Sequence, residues 1–355
     1  MPLSAVTPDQ YNELLAKKVA RTCELLAAYR PPTPDIFPSA TTGYRMRAEF
    51  RMWHDGDSLD YVMFRRDEPR IPVPIDEFPI ACSSIQILMP QLLARLKKDS
   101  LLRTKLFQVE FLSTLTGDTL VTLIYHRKLD DAWHQEATAL SKALKVEIIG
   151  RSRKQKRIIG RDYVEECFQV DDKPYRYRQY EQAFTQPNAN LNTRMIEWAC
   201  RCAEPLEGDL LELYCGNGNF TLPLSIHFDN VIATEMSKTS IRAARENTVA
   251  NSISNVEVIR LSAEEVTQAM QGERPFRRLA DLSKPLNPPR AGLDLHTEKM
   301  IATFDNIIYI SCNPETLATN LEHLCKTHTV HEFALFDQFP YTHHMECGVF
   351  LVKKA

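Results

Sequence analysis

Two hydrophobic periodicities divide this chain. From Tyr44 to Trp53 apolar and charged residues alternate, with Tyr44, Met46, Ala48, Phe50 and Met52 on one side and Arg45, Arg47, Glu49 and Arg51 on the other. A period of two predicts a half-buried strand with a cationic outer face, and Asp55-Gly56 turns the chain after it. A helix precedes it, with Tyr11, Leu14, Leu15, Val19 and Leu26 on one face. That helix opens on Thr7-Pro8-Asp9-Gln10, a capping-box pattern with proline at the first helical position, and stops at Pro31-Pro32. Further on, the pattern predicts a hairpin from Leu106 to Arg127 around Thr116-Gly117-Asp118, and helices near 83–97 and 130–144. Another hairpin carries Arg151, Arg153, Lys154, Lys156, Arg157 and Arg161. Residues 1–184 therefore read as an α+β domain, an antiparallel sheet with helices on one side.

Beyond residue 185 short apolar runs take over: Leu210–Tyr214, Asn230–Glu235, Val256–Arg260, Asn306–Ile310, Glu332–Phe336 and Gly348–Val352. Helical segments such as Ser237–Asn251 lie between them. Strands alternating with helices predict a doubly wound, Rossmann-like α/β domain over residues 185–355. Its first strand runs into Cys215-Gly216-Asn217-Gly218-Asn219, and Glu235 ends the next strand about twenty residues on. Gly216 and Gly218 let a ligand approach the backbone, and Glu235 is placed to bond a ribose hydroxyl. The fingerprint lacks a third glycine and a Walker lysine, which favours S-adenosylmethionine over a dinucleotide or ATP.

Composition narrows the class. The 355 residues carry a net charge of -3, so a nucleic acid would meet a local basic patch rather than a broadly basic protein. Nine cysteines occur with no CxxC pair. Neither a zinc site nor an iron–sulfur cluster is expected, and free thiols suit a reducing compartment. The N-terminal residues lack a signal-peptide pattern and no run is long enough to span a membrane. A cytoplasmic protein is expected.

Ser311-Cys312-Asn313-Pro314 places a thiol at the end of an apolar strand, and Met345-Glu346-Cys347-Gly348 places a carboxylate just before another. A thiolate nucleophile with a carboxylate base suits alkylation of an unreactive pyrimidine carbon. Partial burial of Glu346 would favour proton abstraction; His343 and His344 are alternative bases.

These residues resemble the RNA uracil-5 methyltransferases. The resemblance covers nearly the whole chain and rests on YRMRAEFRMWHDGD, KLFQ, LDDAWHQEA, FTQPN, LLELYCGNGNF, SCNPETL and ALFDQFPYTHHMECG. It implies methyl transfer from S-adenosylmethionine to C5 of the uridine at position 54, in the T-loop of tRNA. The implied donor contacts are Gln186, Tyr214, Asn219 and Glu235; the implied nucleophile and base are Cys312 and Glu346. A monomer acting on the T-arm is expected, with transfer-messenger RNA a further substrate. The base must leave its stack to reach Cys312. Arg45, Arg47 and Arg51 form one cationic stripe toward the RNA and the hairpin at 151–161 a second, each equally readable as a solvated face. Phe107 and His126 are candidate stackers.

One segment departs from the family. Asn287 stands where the family has Asp before Pro288-Pro289-Arg290, after a shortened and polar stretch that does not read as a buried strand. Either Leu279–Leu286 fills the central slot irregularly, or the sheet is left with a vacancy; weaker donor binding is the expectation. The same tetrapeptide resembles the signature of amino-group methyltransferases, but Arg290 replaces the aromatic they need. A cytosine-5 methyltransferase would also use a thiolate, without the MECG partner. An RNA-binding or tRNA-folding protein with weakened methyl transfer is the alternative from another class.

Overall fold

The computed structural model describes residues 6–65, 67–270, 285–287 and 295–355. Two large sheets carry the chain. The first has seven strands, in spatial order Pro72–Pro74, Ser58–Phe64, Arg47–Asp55, Leu106–Ser113, Thr119–Tyr125, Glu147–Ser152 and Gln155–Ile159. The alternation expected from the sequence is present: Ala48, Phe50 and Met52 are buried while Glu49, Arg51 and Trp53 are exposed. The buried side packs on the helices Ser83–Lys98 and Asp131–Leu144 through Ile85, Leu92, Trp133 and Leu140. The sheet is not wholly antiparallel. Thr119–Tyr125 and Glu147–Ser152 run parallel, because the helix Asp131–Leu144 is the crossover between them. A separate hairpin, Tyr163–Val170 with Lys173–Tyr180, leads into the second half.

The second sheet has eight strands, ordered Asp35–Phe37, His328–Phe336, Glu346–Lys353, Asn306–Ser311, Pro285–Asn287, Leu210–Leu213, Val231–Glu235 and Val256–Arg260. Leu210–Leu213, Asn306–Ser311 and Glu346–Lys353 are buried along nearly their whole length, as strands covered on both faces must be. The division at residue 184 does not separate the two sheets, because Asp35–Phe37 pairs in parallel with Ala334–Phe336 and the helix Tyr11–Leu26 packs against the second half. Thr7 makes no capping hydrogen bond; Pro8–Gln10 forms a 3-10 turn instead. Of the two alternatives for the central slot, the filled one is seen, since Pro285–Asn287 pairs with Leu211 and Glu212 on one side and with Asn306 and Ile307 on the other. Three residues suffice because proline at the start of a strand removes no interior ladder bond. Pro288, Pro289 and Arg290 lie outside the described residues, as does the stretch 277–284.

Candidate active site

The strand directions bring the chemistry to one edge. Leu210–Leu213, Pro285–Asn287 and Asn306–Ser311 are parallel neighbours, so the glycine loop after the first and Cys312 after the last lie at the same end, two strand spacings or about 10 Å apart. Glu346–Lys353 is antiparallel to Asn306–Ser311, so Glu346, its first residue, comes to this end too. The ladder ends on the pair Ser311 and Cys347. Cys312 and Glu346 each adjoin that last pair. Glu346 is only 2 % exposed, and Cys312 is half-buried.

Cys312 opens on a cleft of about 350 Å3 whose walls include Lys18, Arg21, Thr22, Glu315, His343 and His344. Asn313 caps the helix Pro314–Leu324, its carboxamide oxygen accepting from the backbone N–H of Glu315 at 3.0 Å and of Thr316 at 3.3 Å. Ser311 Oγ also accepts from the Asn313 N–H, at 3.3 Å. These bonds hold the turn that carries the thiol. On the N-terminal helix, Lys18 makes a buried ion pair with Asp337, and Arg21 reaches Glu315 at 2.5 Å. Sequence reasoning missed this wall, and no local signal marks it: the helix lies about three hundred residues from Cys312 along the chain.

The glycine loop has the geometry of a nucleoside cradle. Tyr214, Gly216 and Gly218 all have positive φ, at 59°, 59° and 86°. A Cβ on Gly216 would meet open space, so the loop leaves room beside its backbone. Glu235 turns back on the loop: one carboxylate oxygen accepts from the Gly216 N–H at 3.2 Å, the other from Met236 and Ser237 N–H at 2.7 Å each. Tyr214 is 42 % exposed. Gln186 Oε1 is buried with no hydrogen-bond partner among the described residues, as an atom awaiting a ligand donor would be. Asn219 is placed differently: its carboxamide exchanges two hydrogen bonds, of 2.8 and 2.9 Å, with Asn192 on the helix Ala189–Ala203. It therefore anchors the loop to that helix, and Asn192 is a residue the motif alone did not single out. Asn287 takes its place in the central strand through its backbone. The pocket residues present fit a nucleoside-type donor. Among the described residues no cluster of His, Cys, Asp or Glu could hold a metal ion, and no helix is long and apolar enough to cross a membrane.

The expected RNA residues separate into two groups. Arg51, Phe107 and His126 form one stack: the Arg51 guanidinium lies 3.8 Å from the Phe107 ring centre, and the Phe107 and His126 rings are 4.0 Å apart at 26°. Cross-strand register lines up Arg51, Gln108, Ile124, Arg151 and Lys156 in a single row across five strands. Of the first cationic stripe only Arg51 shares this row with the second, and the uncharged Gln108 and Ile124 lie between them. The far end of the row is neutralised, since Arg151 and Lys156 pair with Glu181, and Lys156 also with Asp162. Arg45 and Arg47 do not join an open cationic face. Arg45 Nε donates to the Arg47 carbonyl at 2.7 Å, and Arg47 donates to the carbonyls of Glu181 and Ala183, each at 3.1 Å. Burial lowers the pKa of both guanidinium groups.

The doubly wound sheet, the glycine cradle and the acidic residue ending the next strand define a Rossmann-like methyltransferase. The family model described as tRNA (uracil-5-)-methyltransferase matches residues 10–354. A Vibrio vulnificus (strain CMCP6) protein named tRNA/tmRNA (uracil-C(5))-methyltransferase is 50 % identical over 365 residues, spanning 99 % of each chain. An Acinetobacter baumannii (strain ACICU) protein of the same name is 52 % identical over 358 residues, 97 % of this chain and 99 % of its own. Among solved structures, the Pyrococcus abyssi tRNA (uracil-54, C5)-methyltransferase in complex with S-adenosyl-L-homocysteine superposes with a TM-score of 0.75 at 22 % identity, over 96 % of this chain and 83 % of that one. The chain belongs to the tRNA (uracil-5-)-methyltransferase family.

Proposed function

We propose that this chain transfers a methyl group from S-adenosylmethionine to C5 of a T-loop uridine of tRNA, at position 54, with Cys312 as nucleophile and Glu346 as base. The observation that supports the reading is that the ladder between Asn306–Ser311 and Glu346–Lys353 closes on Ser311 and Cys347, next to Cys312 and Glu346, on the sheet edge that also holds the glycine loop. Gln186, Tyr214, Gly216, Gly218, Glu235 and the Asn287 strand would hold the donor, and Asn219 would hold the loop. When bound, the donor supplies an electrophilic methyl on a sulfonium.

Uracil C5 is too weak a nucleophile alone. Cys312 Sγ adds to C6, and the C5–C6 electron pair moves onto C5 and O4 as an enolate. Cys312 directly precedes Asn313, the N-cap of the helix Pro314–Leu324, at the end of a helix where negative charge is favoured. Once C5 carries the methyl, the Glu346 carboxylate takes the C5 proton. The freed electron pair re-forms C5=C6 and expels the Cys312 thiolate. His343 and His344 also line the cleft, but Glu346 is buried and held in the strand that pairs with Asn306–Ser311, which favours it as the base. The Arg51–Phe107–His126 stack offers an aromatic and cationic platform for T-loop bases. The tRNA/tmRNA names of the relatives support both RNAs as substrates.

The test is incubation of unmodified tRNA with methyl-labelled S-adenosylmethionine, followed by nucleoside analysis. Label in 5-methyluridine at one T-loop position supports the reading. RNA binding without label would instead leave an RNA-folding protein.

A further inference from the structure

We propose that Arg47 is a positioning residue for the methyl-donor pocket, although its place in the sequence pattern points it toward RNA. The proposal rests on the donor-site reading above and assigns a role to a residue outside the pocket.

Arg47 begins the first-sheet strand Arg47–Asp55. Its guanidinium does not open to solvent as a phosphate ligand would. One terminal nitrogen donates to two main-chain carbonyls, Glu181 and Ala183, at 3.1 Å each, while Nε is buried with no hydrogen-bond partner among the described residues. Those carbonyls belong to the segment that leaves the hairpin Lys173–Tyr180 and enters the helix Ala189–Ala203. Gln186, with its orphaned Oε1, lies in that segment.

The neighbouring backbone grips the same segment. Met46 N–H donates to the Pro187 carbonyl at 2.8 Å, and Arg45 forms an isolated antiparallel bridge with Asn188. Asn188 then caps the helix Ala189–Ala203 through the Leu191 N–H. That helix carries Asn192, which holds Asn219 in the glycine loop. Hydrogen bonds from Arg47 and its strand neighbours thus hold the segment 181–188 at four points, and this segment carries Gln186 and leads through Asn188 into the helix whose Asn192 holds the glycine loop. Four residues further along the same strand, about 13 Å away, Arg51 faces the Phe107 ring. The two arginines share a strand and a face, yet the contacts assign them to different ligands.

The test uses Arg47→Met, which keeps the stem and removes the donors, beside Arg47→Lys and Arg51→Ala. S-adenosylhomocysteine affinity is measured by calorimetry, and affinity for a T-arm hairpin by filter binding at several salt concentrations without donor. Arg47→Met is expected to weaken S-adenosylhomocysteine binding about tenfold. Its RNA affinity should stay within about twofold with an unchanged salt slope. Arg51→Ala should do the reverse, the slope falling by roughly 0.7–0.9 for the lost phosphate contact. Should Arg47→Met fail to fold, Arg47→Lys keeps the proposal open to refutation. One ammonium there should give an intermediate loss of donor affinity and faster amide hydrogen exchange across residues 181–188.

An Arg47 variant that binds S-adenosylhomocysteine like the wild type overturns the proposal. So does one that loses RNA affinity and salt slope, or one that loses both ligands equally. Failure of the wild-type protein itself to bind S-adenosylhomocysteine would remove the donor-site reading instead, and the two failures are thereby distinguished.

Discussion

Gly348 lies two residues after Glu346 and packs against Trp198, which makes Gly348→Ala a probe of how tightly the base must be held. A Cβ at Gly348 would lie 2.7 and 2.9 Å from two carbons of the Trp198 ring. The ring cannot retreat freely: it is buried and meets Phe336 edge-on at 6.0 Å. Overpacking of this kind costs about 1–3 kcal/mol, and the stiffer unfolded chain offsets about 0.4–1 kcal/mol of it. A net loss of about 1–2 kcal/mol follows. For a chain of this length the unfolding entropy is roughly 0.75 kcal/mol/K, so Tm should fall by about 1–3 °C. The larger effect is on rate. A strand displaced by a few tenths of an ångström to 1 Å carries Glu346 with it, and such misplacement costs about 10- to 100-fold in kcat. Gly150→Ala is the control, because Gly150 is at least as tightly packed against Trp133 but lies in the first sheet. Calorimetry and a methyl-incorporation assay on both variants should show comparable stability losses with kcat reduced only in Gly348→Ala. Equal kcat values in the two variants would refute the claim that the ladder positions the base.

Three further outcomes are expected. Phe107→Ala removes the centre of the Arg51–Phe107–His126 stack and should raise the RNA KM by the factor that about 1–3 kcal/mol per stacked base implies, with donor affinity unchanged; an unchanged RNA KM would remove the platform. Glu235→Gln weakens the acceptor that holds Gly216, Met236 and Ser237, so S-adenosylhomocysteine should bind more weakly in calorimetry. Burial raises the pKa of Glu212 to about 7, so between its unfolded value near 4.5 and 7 the folded state holds a proton that the unfolded state has released. Stability should therefore fall as pH rises through that window and level off above it, and Glu212→Gln should flatten the slope in urea titrations; Glu166, likewise raised to about 7 by burial, retains its own share.

Much of this architecture is legible along the chain because burial writes it there. Strands covered on both faces appear as short apolar runs, and the half-buried strand through Phe50 appears as strict alternation. The positions of Cys312 and Glu346 at strand ends are legible because each adjoins such a run. Three features were not. Asp35–Phe37 is a three-residue edge strand whose partner lies at 334–336, and nothing local encodes so distant a pairing. Pro285–Asn287 takes its strand character from Leu211, Glu212 and Ile307 on either side, which outweighs a polar, proline-containing context. Alternation correctly placed Arg47 on the outer face of its strand, but a period of two does not say what covers that face. There it meets the carbonyls of Glu181 and Ala183 rather than solvent.

The central claim is the pairing of Cys312 as nucleophile with Glu346 as base, and a covalent protein–RNA adduct reports on both at once. Wild-type protein, Cys312→Ala and Glu346→Gln would each be incubated with T-arm RNA and S-adenosylmethionine, denatured, and resolved by mass. The account predicts a small transient adduct for the wild type and none for Cys312→Ala. For Glu346→Gln it predicts an accumulated adduct carrying one methyl group, because addition and methyl transfer proceed while elimination stalls. An adduct or 5-methyluridine formed by Cys312→Ala, or wild-type turnover by Glu346→Gln, would contradict it.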